Sequence, residues 1–137
     1  MRYLVDANVL SEPTKPDPDE EAVEWLRANE PYLSVDPVIL GELRCGILLL
    51  PKGRRRSRLE AWFAKGIGNI RCLDWTAETG LRWAGFLADL RRAGQAMPVK
   101  DSLIAATALT HGLTIATRNT AGFSKPGLKV INPFASK

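Results

Sequence analysis

Histidine and cysteine are scarce in this chain: His111 stands alone, and Cys45 and Cys72 form no C-x-x-C pair. Zinc centres draw three or four ligands mostly from those residue types, so the sequence argues against a structural or catalytic zinc site. The same shortage rules out a mechanism that passes protons between two histidines. Long apolar runs are missing too. Runs such as Ile47-Leu48-Leu49-Leu50 reach four residues, far short of the ~18 residues of a membrane span. A strand pattern opens at Tyr3 and acids follow at once, which is not how a signal peptide begins. A cytoplasmic location is therefore expected, with Cys45 and Cys72 as reduced, buried thiols. Repeats, low-complexity tracts and linkers are absent, and 137 residues suit a single domain, 1–137.

What is present is distributed unevenly. Residues 1–50 hold ten acids against four bases, a net of −6, while the remaining 87 hold 15 bases against five acids, a net of +10. The densest basic cluster is Lys52, Arg54, Arg55, Arg56 and Arg58. Such a run serves as a solvated helix face as readily as a binding site; beside a metal-suited acidic cluster it reads as a polyanion contact.

Strand and helix patterns alternate. Strands are expected at Arg2–Val5, Tyr32–Val35, Ile70–Leu73, Leu113–Thr117 and Lys129–Ile131. Asp17-Pro18 reads as the cap and first turn of a helix over about 18–29, and Asp36-Pro37 repeats that signal for a helix to about Leu49. Helices follow over 54–65, from a Thr76 cap to about Ala93, and from Pro98 to His111-Gly112. This order predicts an α/β fold, a three-layer α/β/α sandwich around a central, mostly parallel sheet. Sites in such folds form beyond the carboxyl ends of the strands.

Three acids occupy positions that favour such a site. Asp6 ends the first strand, Asp101 opens the helix after Pro98, and Glu42 is flanked at helical spacing by Val38, Cys45 and Leu49. The Glu42 side chain is therefore expected to point inward. Converging carboxylates in apolar surroundings are costly unless compensated, and Mg²⁺ or Mn²⁺ is the usual compensator. An ion so held lowers the pKa of a bound water and neutralises charge on a phosphodiester under attack. Lys100 and Arg118 stand where they could contact phosphate.

Four segments together resemble the PIN-domain ribonucleases, and among them the VapC-type toxins of bacterial type II toxin–antitoxin pairs. They are Leu4-Val5-Asp6-Ala7-Asn8-Val9-Leu10-Ser11-Glu12, Leu40-Gly41-Glu42-Leu43-Arg44-Cys45-Gly46, Asp101-Ser102-Leu103-Ile104-Ala105-Ala106-Thr107-Ala108 and Thr117-Arg118-Asn119-Thr120-Ala121-Gly122-Phe123. The resemblance covers essentially the whole chain. It implies a PIN-like fold and an Mg²⁺- or Mn²⁺-dependent endoribonuclease acting on tRNA or rRNA. Asp6, Glu42 and Asp101 match the family's core acids, Asn8 its polar residue two places on, and Thr117 the hydroxyl residue that bonds the first acid. The family's fourth acid falls at Asn119 or Gly122, neither of which is acidic, so Asn119 could offer an oxygen but no charge. The resemblance further implies a cognate antitoxin that inserts a basic side chain into the acids, DNA contacted only through that complex, and a homodimer. Trp83 and Phe86, beside the Leu81–Ala84–Leu87 face, are the expected anchors of the dimer. Arg54, Arg55, Arg56 and Arg58, with Lys100 and Arg118, are the expected RNA contacts. The alternative is a non-catalytic PIN-like module that only binds partners. A phosphatase of the haloacid type would need Asp-x-Asp where Asp6-Ala7-Asn8 stands.

Overall fold

The structure, a computed structural model, describes residues 2–134. Five short strands, β1 (Tyr3–Val5), β2 (Leu33–Val35), β3 (Arg71–Cys72), β4 (Thr114–Ala116) and β5 (Lys129–Ile131), form one sheet in the order β3-β2-β1-β4-β5. Every pairing is parallel. The helices α1 (Ala7–Leu10), α2 (Glu20–Ala28), α3 (Pro37–Leu48), α4 (Arg54–Lys65), α5 (Ala77–Arg92) and α6 (Val99–His111) supply the crossovers. They cover both faces, giving the expected α/β/α sandwich.

The central strands are buried because both faces are covered, and they accordingly read as apolar runs rather than alternations. Leu4, Val5, Val35, Ile115 and Ala116 have no exposure, and Val9, Ile39, Ile104 and Phe123 seal them from the helical layers. Each large aliphatic side chain buried this way contributes roughly 1.5–3 kcal/mol over leaving it in water. The chain runs outward from β1 through β2 to β3, then returns to the other side for β4 and β5. Strand order therefore reverses between β1 and β4, which is where a crevice opens at the carboxyl edge.

Several local expectations change. The helix cap is Asp19, whose carboxylate accepts from the Ala22 N–H at 3.0 Å, and not Asp17. Buried Glu12 explains the shift: its carboxylate takes the Asp19 N–H at 2.8 Å and fixes the preceding loop. The segment after Asp6 is a one-turn helix, α1, an element absent from the sequence reading. On α3 the buried side chains are Ile39, Leu43 and Ile47, so Glu42 lies on the flank of that stripe and Leu49 is 81% exposed. Cys45 faces solvent, against the expectation of a buried thiol; both cysteines are free.

The helix α5 also turns the other way. Phe86 and Leu90 are buried against Ala105 of α6, while Leu81 is 76% exposed. Trp83 is half-buried, its indole N–H donating to Ser102 Oγ at 3.0 Å and its ring edge-on to Trp75. The aromatic pair is thus the inward set, and Leu81 marks the outward face.

Two glycines should respond to alanine with opposite signs. Gly112 ends α6 in the left-handed region at φ 65°, so Gly112→Ala should lower unfolding free energy by about 1 kcal/mol. Gly85 lies inside α5 with nothing within 4 Å of an added Cβ, so Gly85→Ala should raise it by about 0.5–1 kcal/mol. Urea denaturation of both variants reads the two signs directly.

Candidate active site

Parallel pairing sets Val5 opposite Ala116, and the ladder runs one step further as the Asp6 N–H donates to the Ala116 carbonyl at 2.9 Å. Asp6 and Thr117 therefore leave their strands side by side at the switch point. The Asp6 side chain caps α1, and the residue is 7% exposed. One carboxylate oxygen accepts from the Ala7 N–H at 2.8 Å, the other from the Thr117 hydroxyl at 2.8 Å and from Asn8 Nδ2 at 3.4 Å. Burial pushes this carboxyl above the usual carboxylate range; Thr117 draws it down, the charge of Glu42 pushes it up, Ala7 draws it down and Asp101 pushes it up.

Asn8 and Thr117 hold that carboxylate in place. Asn8 Nδ2 also donates to Thr117 Oγ1 at 3.3 Å, and its carbonyl oxygen accepts from the Arg118 N–H at 3.1 Å. The Asn119 N–H donates to the same threonine hydroxyl oxygen at 3.0 Å. The loop after β4 is thereby fastened to α1.

Glu42 and Asp101 arrive from α3 and α6; the charges of both act on Asp6, and that of Glu42 acts on Asp101. The Asp101 carboxyl is raised by burial, lowered by the adjacent Lys100 charge and raised by Glu42, with a net upward shift. Lys100 reaches across from α6 so that its Nζ lies 2.5 Å from Glu42 Oε2. Its ammonium is held above the ordinary lysine range, first by that hydrogen bond, against burial, then by the charges of Glu42, Asp101 and Asp6. Glu42 Oε1, by contrast, is buried without a partner.

The sequence reading missed how α3 and α6 are tied together. Asp36 is fully buried; one oxygen caps α3 through the Ile39 N–H at 2.9 Å and the other accepts from Thr107 Oγ1 at 2.6 Å. Thr107 belongs to α6, so this bond joins the two helices that carry Glu42 and Asp101. A polar residue within the alanine-rich inward face of α6 was the available signal.

The predicted basic residues separate. Arg55 lines a groove of about 370 Å³ that starts at Asn8 and Glu42 and continues over Leu43, Ile47 and Trp62. Arg54 and Arg58 are exposed. Arg56 is committed within the fold, to Glu60 at 3.3 Å and the Leu50 carbonyl at 3.4 Å. Arg118 lies over the Phe134 ring, 4.5 Å from its centroid. Asn119 Oδ1 accepts from the Gly122 N–H at 3.2 Å. A Cβ on Gly122 would come 2.3 Å from Asn119 Nδ2, so any side chain at 122 would require the Asn119 amide to move.

Carboxylate oxygens with hydroxyl and amide support are a donor set for a hard divalent cation, and the unpartnered Glu42 oxygen is an acceptor in want of a charge. As the side chains stand, no three Asp, Glu, His or Cys groups among the described residues are gathered into a ligating cluster. In kind, though not in their present arrangement, these hard oxygen donors suit such an ion.

The sequence pattern of the PIN domain matches residues 3–127. The chain is 38% identical to plasmid stability protein StbB of Pseudomonas syringae pv. tomato, over 96% of this chain and 97% of that protein. It is 33% identical to VapC ribonuclease Y4jK of Sinorhizobium fredii, covering 96% of each. Toxin FitB of Neisseria gonorrhoeae is 34% identical, over 96% of this chain and 97% of its own. Among solved structures, FitAB bound to a DNA fragment superposes with a TM-score of 0.90 at 29% identity, covering 98% of this chain and 97% of that one.

The upward shift at Asp101 has a sign that can be measured. A carboxyl that titrates higher folded than unfolded opposes folding once ionised: stability is greatest below the unfolded value and falls as pH rises through the folded one. Asp101→Asn should therefore raise the melting temperature of the cation-free protein at pH 7 by a few degrees. The gap to the parent should close on acidification through the raised carboxyl pKa. A lower melting temperature at pH 7 would show that Asp101 is held by a structural ion pair instead.

Proposed function

The chain belongs to the PIN-domain family, and from that membership we propose a cation-dependent endoribonuclease, the toxin of a type II toxin–antitoxin pair, in which Asp6, Glu42 and Asp101 hold Mg²⁺ or Mn²⁺. The observation that carries this reading is that Asp6, at the end of β1, is close enough to Glu42 of α3 and Asp101 of α6 for their charges to act on it, with the Lys100 ammonium hydrogen-bonded to Glu42. A divalent ion there would supply Lewis acidity, polarising the phosphodiester and easing deprotonation of the attacking water. The chain's own residues do the rest. Thr117, Asn8 and the Ala7 N–H fix both oxygens of Asp6, Asp36 and Thr107 hold α3 against α6, and Arg55 offers positive charge to RNA beside Glu42.

The toxin is held in check by a cognate antitoxin, as the FitAB complex suggests, and DNA is reached through that complex. The groove supports this: its apolar stretch over Ile47 and Trp62 suits aliphatic anchors, and Glu42 among its lining residues suits a basic side chain. The Lys100–Glu42 contact illustrates that the acids accept such a group. A homodimer belongs to the same reading, supported by the exposed Leu81 and by Val99, 68% exposed at the start of α6. No described helix is long and apolar enough to cross a membrane, and the cytoplasm is the proposed location. A non-catalytic binding module would have no need to keep three carboxylates in mutual repulsion.

Purified protein should cleave structured RNA with Mg²⁺ or Mn²⁺ and fall silent with EDTA. Asp6→Asn should lose about 100-fold or more in rate, the scale of removing a main electrostatic stabiliser, with an unchanged circular dichroism spectrum. Cleavage that survives chelation would sink the mechanism.

The basic helix gives a second test. Replacing Arg54, Arg55 and Arg58 together by Gln should weaken RNA binding across sequences. The log–log salt slope should flatten by about 0.7–0.9 for each phosphate the protein no longer neutralises. Arg56→Gln should leave the slope alone and lower stability by up to about 1 kcal/mol, since its guanidinium serves Glu60 and Leu50. A slope unmoved by the triple change would return these arginines to a solvated face.

A further inference from the structure

We propose that Lys100 is the internal counter-cation of this site: it holds Glu42 while no divalent ion is bound, and must let go for the ion to enter. The released ammonium is then free for the RNA backbone, so that cation and RNA binding reinforce one another. The inference rests on the cation-dependent reading above.

Four observations carry it. Lys100 lies in the first turn of α6, where the positive end of the helix dipole disfavours a cation; the acids opposite compensate for that placement. The contact spans 58 residues of sequence and joins α6 to α3 at 2.5 Å, so the fold itself brings the two groups together. The pair is one-sided. Lys100 meets Glu42 Oε2 and leaves Oε1 buried and unpartnered, an acceptor that a lysine in this position does not satisfy. Finally, the Lys100 side chain is 51% exposed against 32% for Glu42, so the ammonium can withdraw into water while the carboxylate stays.

Exchange follows from these facts. A compact ammonium on a four-carbon stem is mobile, and an ion pair open to solvent is weak enough to be displaced. The fields of Asp101 and Asp6 reach Lys100 as well, so the same three carboxylates that suit a divalent ion now share one monovalent charge. A ligand that attracts Lys100 away from Glu42, such as a phosphate, raises cation affinity, and by reciprocity the cation raises affinity for that ligand.

Calorimetric titration of the full chain with Mn²⁺ at fixed ionic strength tests this without turnover. Lys100→Gln should bind Mn²⁺ about tenfold more tightly than the parent, within the usual range of coupling between sites. Lys100→Arg, which keeps the charge, and Arg55→Gln, which removes a nearby charge not bonded to Glu42, should stay close to the parent. Equal or weaker binding by Lys100→Gln overturns the inference, and so does an equal gain in Arg55→Gln, since a diffuse field would then be acting. If neither parent nor Lys100→Gln binds Mn²⁺ at millimolar concentration, the cation-dependent reading itself fails. A measurement on the parent protein guards against misfolding of the variant. The ¹⁵Nζ ammonium signal of Lys100, protected by Glu42, should vanish as Mg²⁺ saturates the protein; its persistence overturns the proposal.

Discussion

Asp6 sits at the end of β1 with almost no access to solvent, and an anion so placed has to be held by something. Part of what holds it is local: the Ala7 N–H, the Thr117 hydroxyl and the Asn8 amide. The threonine donor is there only because β1 and β4 are parallel neighbours, which sets the ends of two strands 111 residues apart in sequence beside each other. The donors do not cancel the cost, since burial and the charges of Glu42 and Asp101 still leave the carboxyl raised. The remaining deficit is positive charge. Lys100 meets part of it in this structure; on the proposed reading, a divalent ion or a basic side chain of an antitoxin would meet the same electrostatic requirement.

That requirement also explains why α3 and α6 are joined by a buried polar bond rather than by apolar contact alone. Glu42 and Asp101 repel each other, a repulsion between α3 and α6 that the Lys100–Glu42 contact offsets in part. Asp36 and Thr107, fully enclosed and 2.6 Å apart, resist this by bonding the start of one helix to the middle of the other.

Much of this was legible in the sequence. Proline and cap signals placed α3 and α6 within a residue or two, and alternation of strands and helices implied the parallel sheet. The three acids stood out because carboxylates among apolar residues require a reason. What could not be read was side-chain direction where several apolar faces competed. Val38, Cys45 and Leu49 looked like the inner stripe of α3, yet Ile39, Leu43 and Ile47 fill it; a helix with apolar residues all round offers no moment from which to choose. The same ambiguity put Phe86 at an interface when it packs against Ala105. Tertiary partners were equally hidden. Glu12 reaching the Asp19 N–H displaced a helix cap, Glu60 claimed Arg56, and Lys100 turned from a phosphate contact into the partner of Glu42. Each depends on which elements the fold brings together, which spacing along the chain does not encode.

Anomalous diffraction from crystals of the protein soaked in millimolar Mn²⁺ is the most direct test of a carboxylate site that trades a lysine for a metal. The expected result is a manganese peak ligated by carboxylate oxygens of Asp6 and of at least one of Glu42 and Asp101, with the Lys100 ammonium withdrawn from Glu42. Manganese bound only elsewhere, with Lys100 still on Glu42, would contradict it.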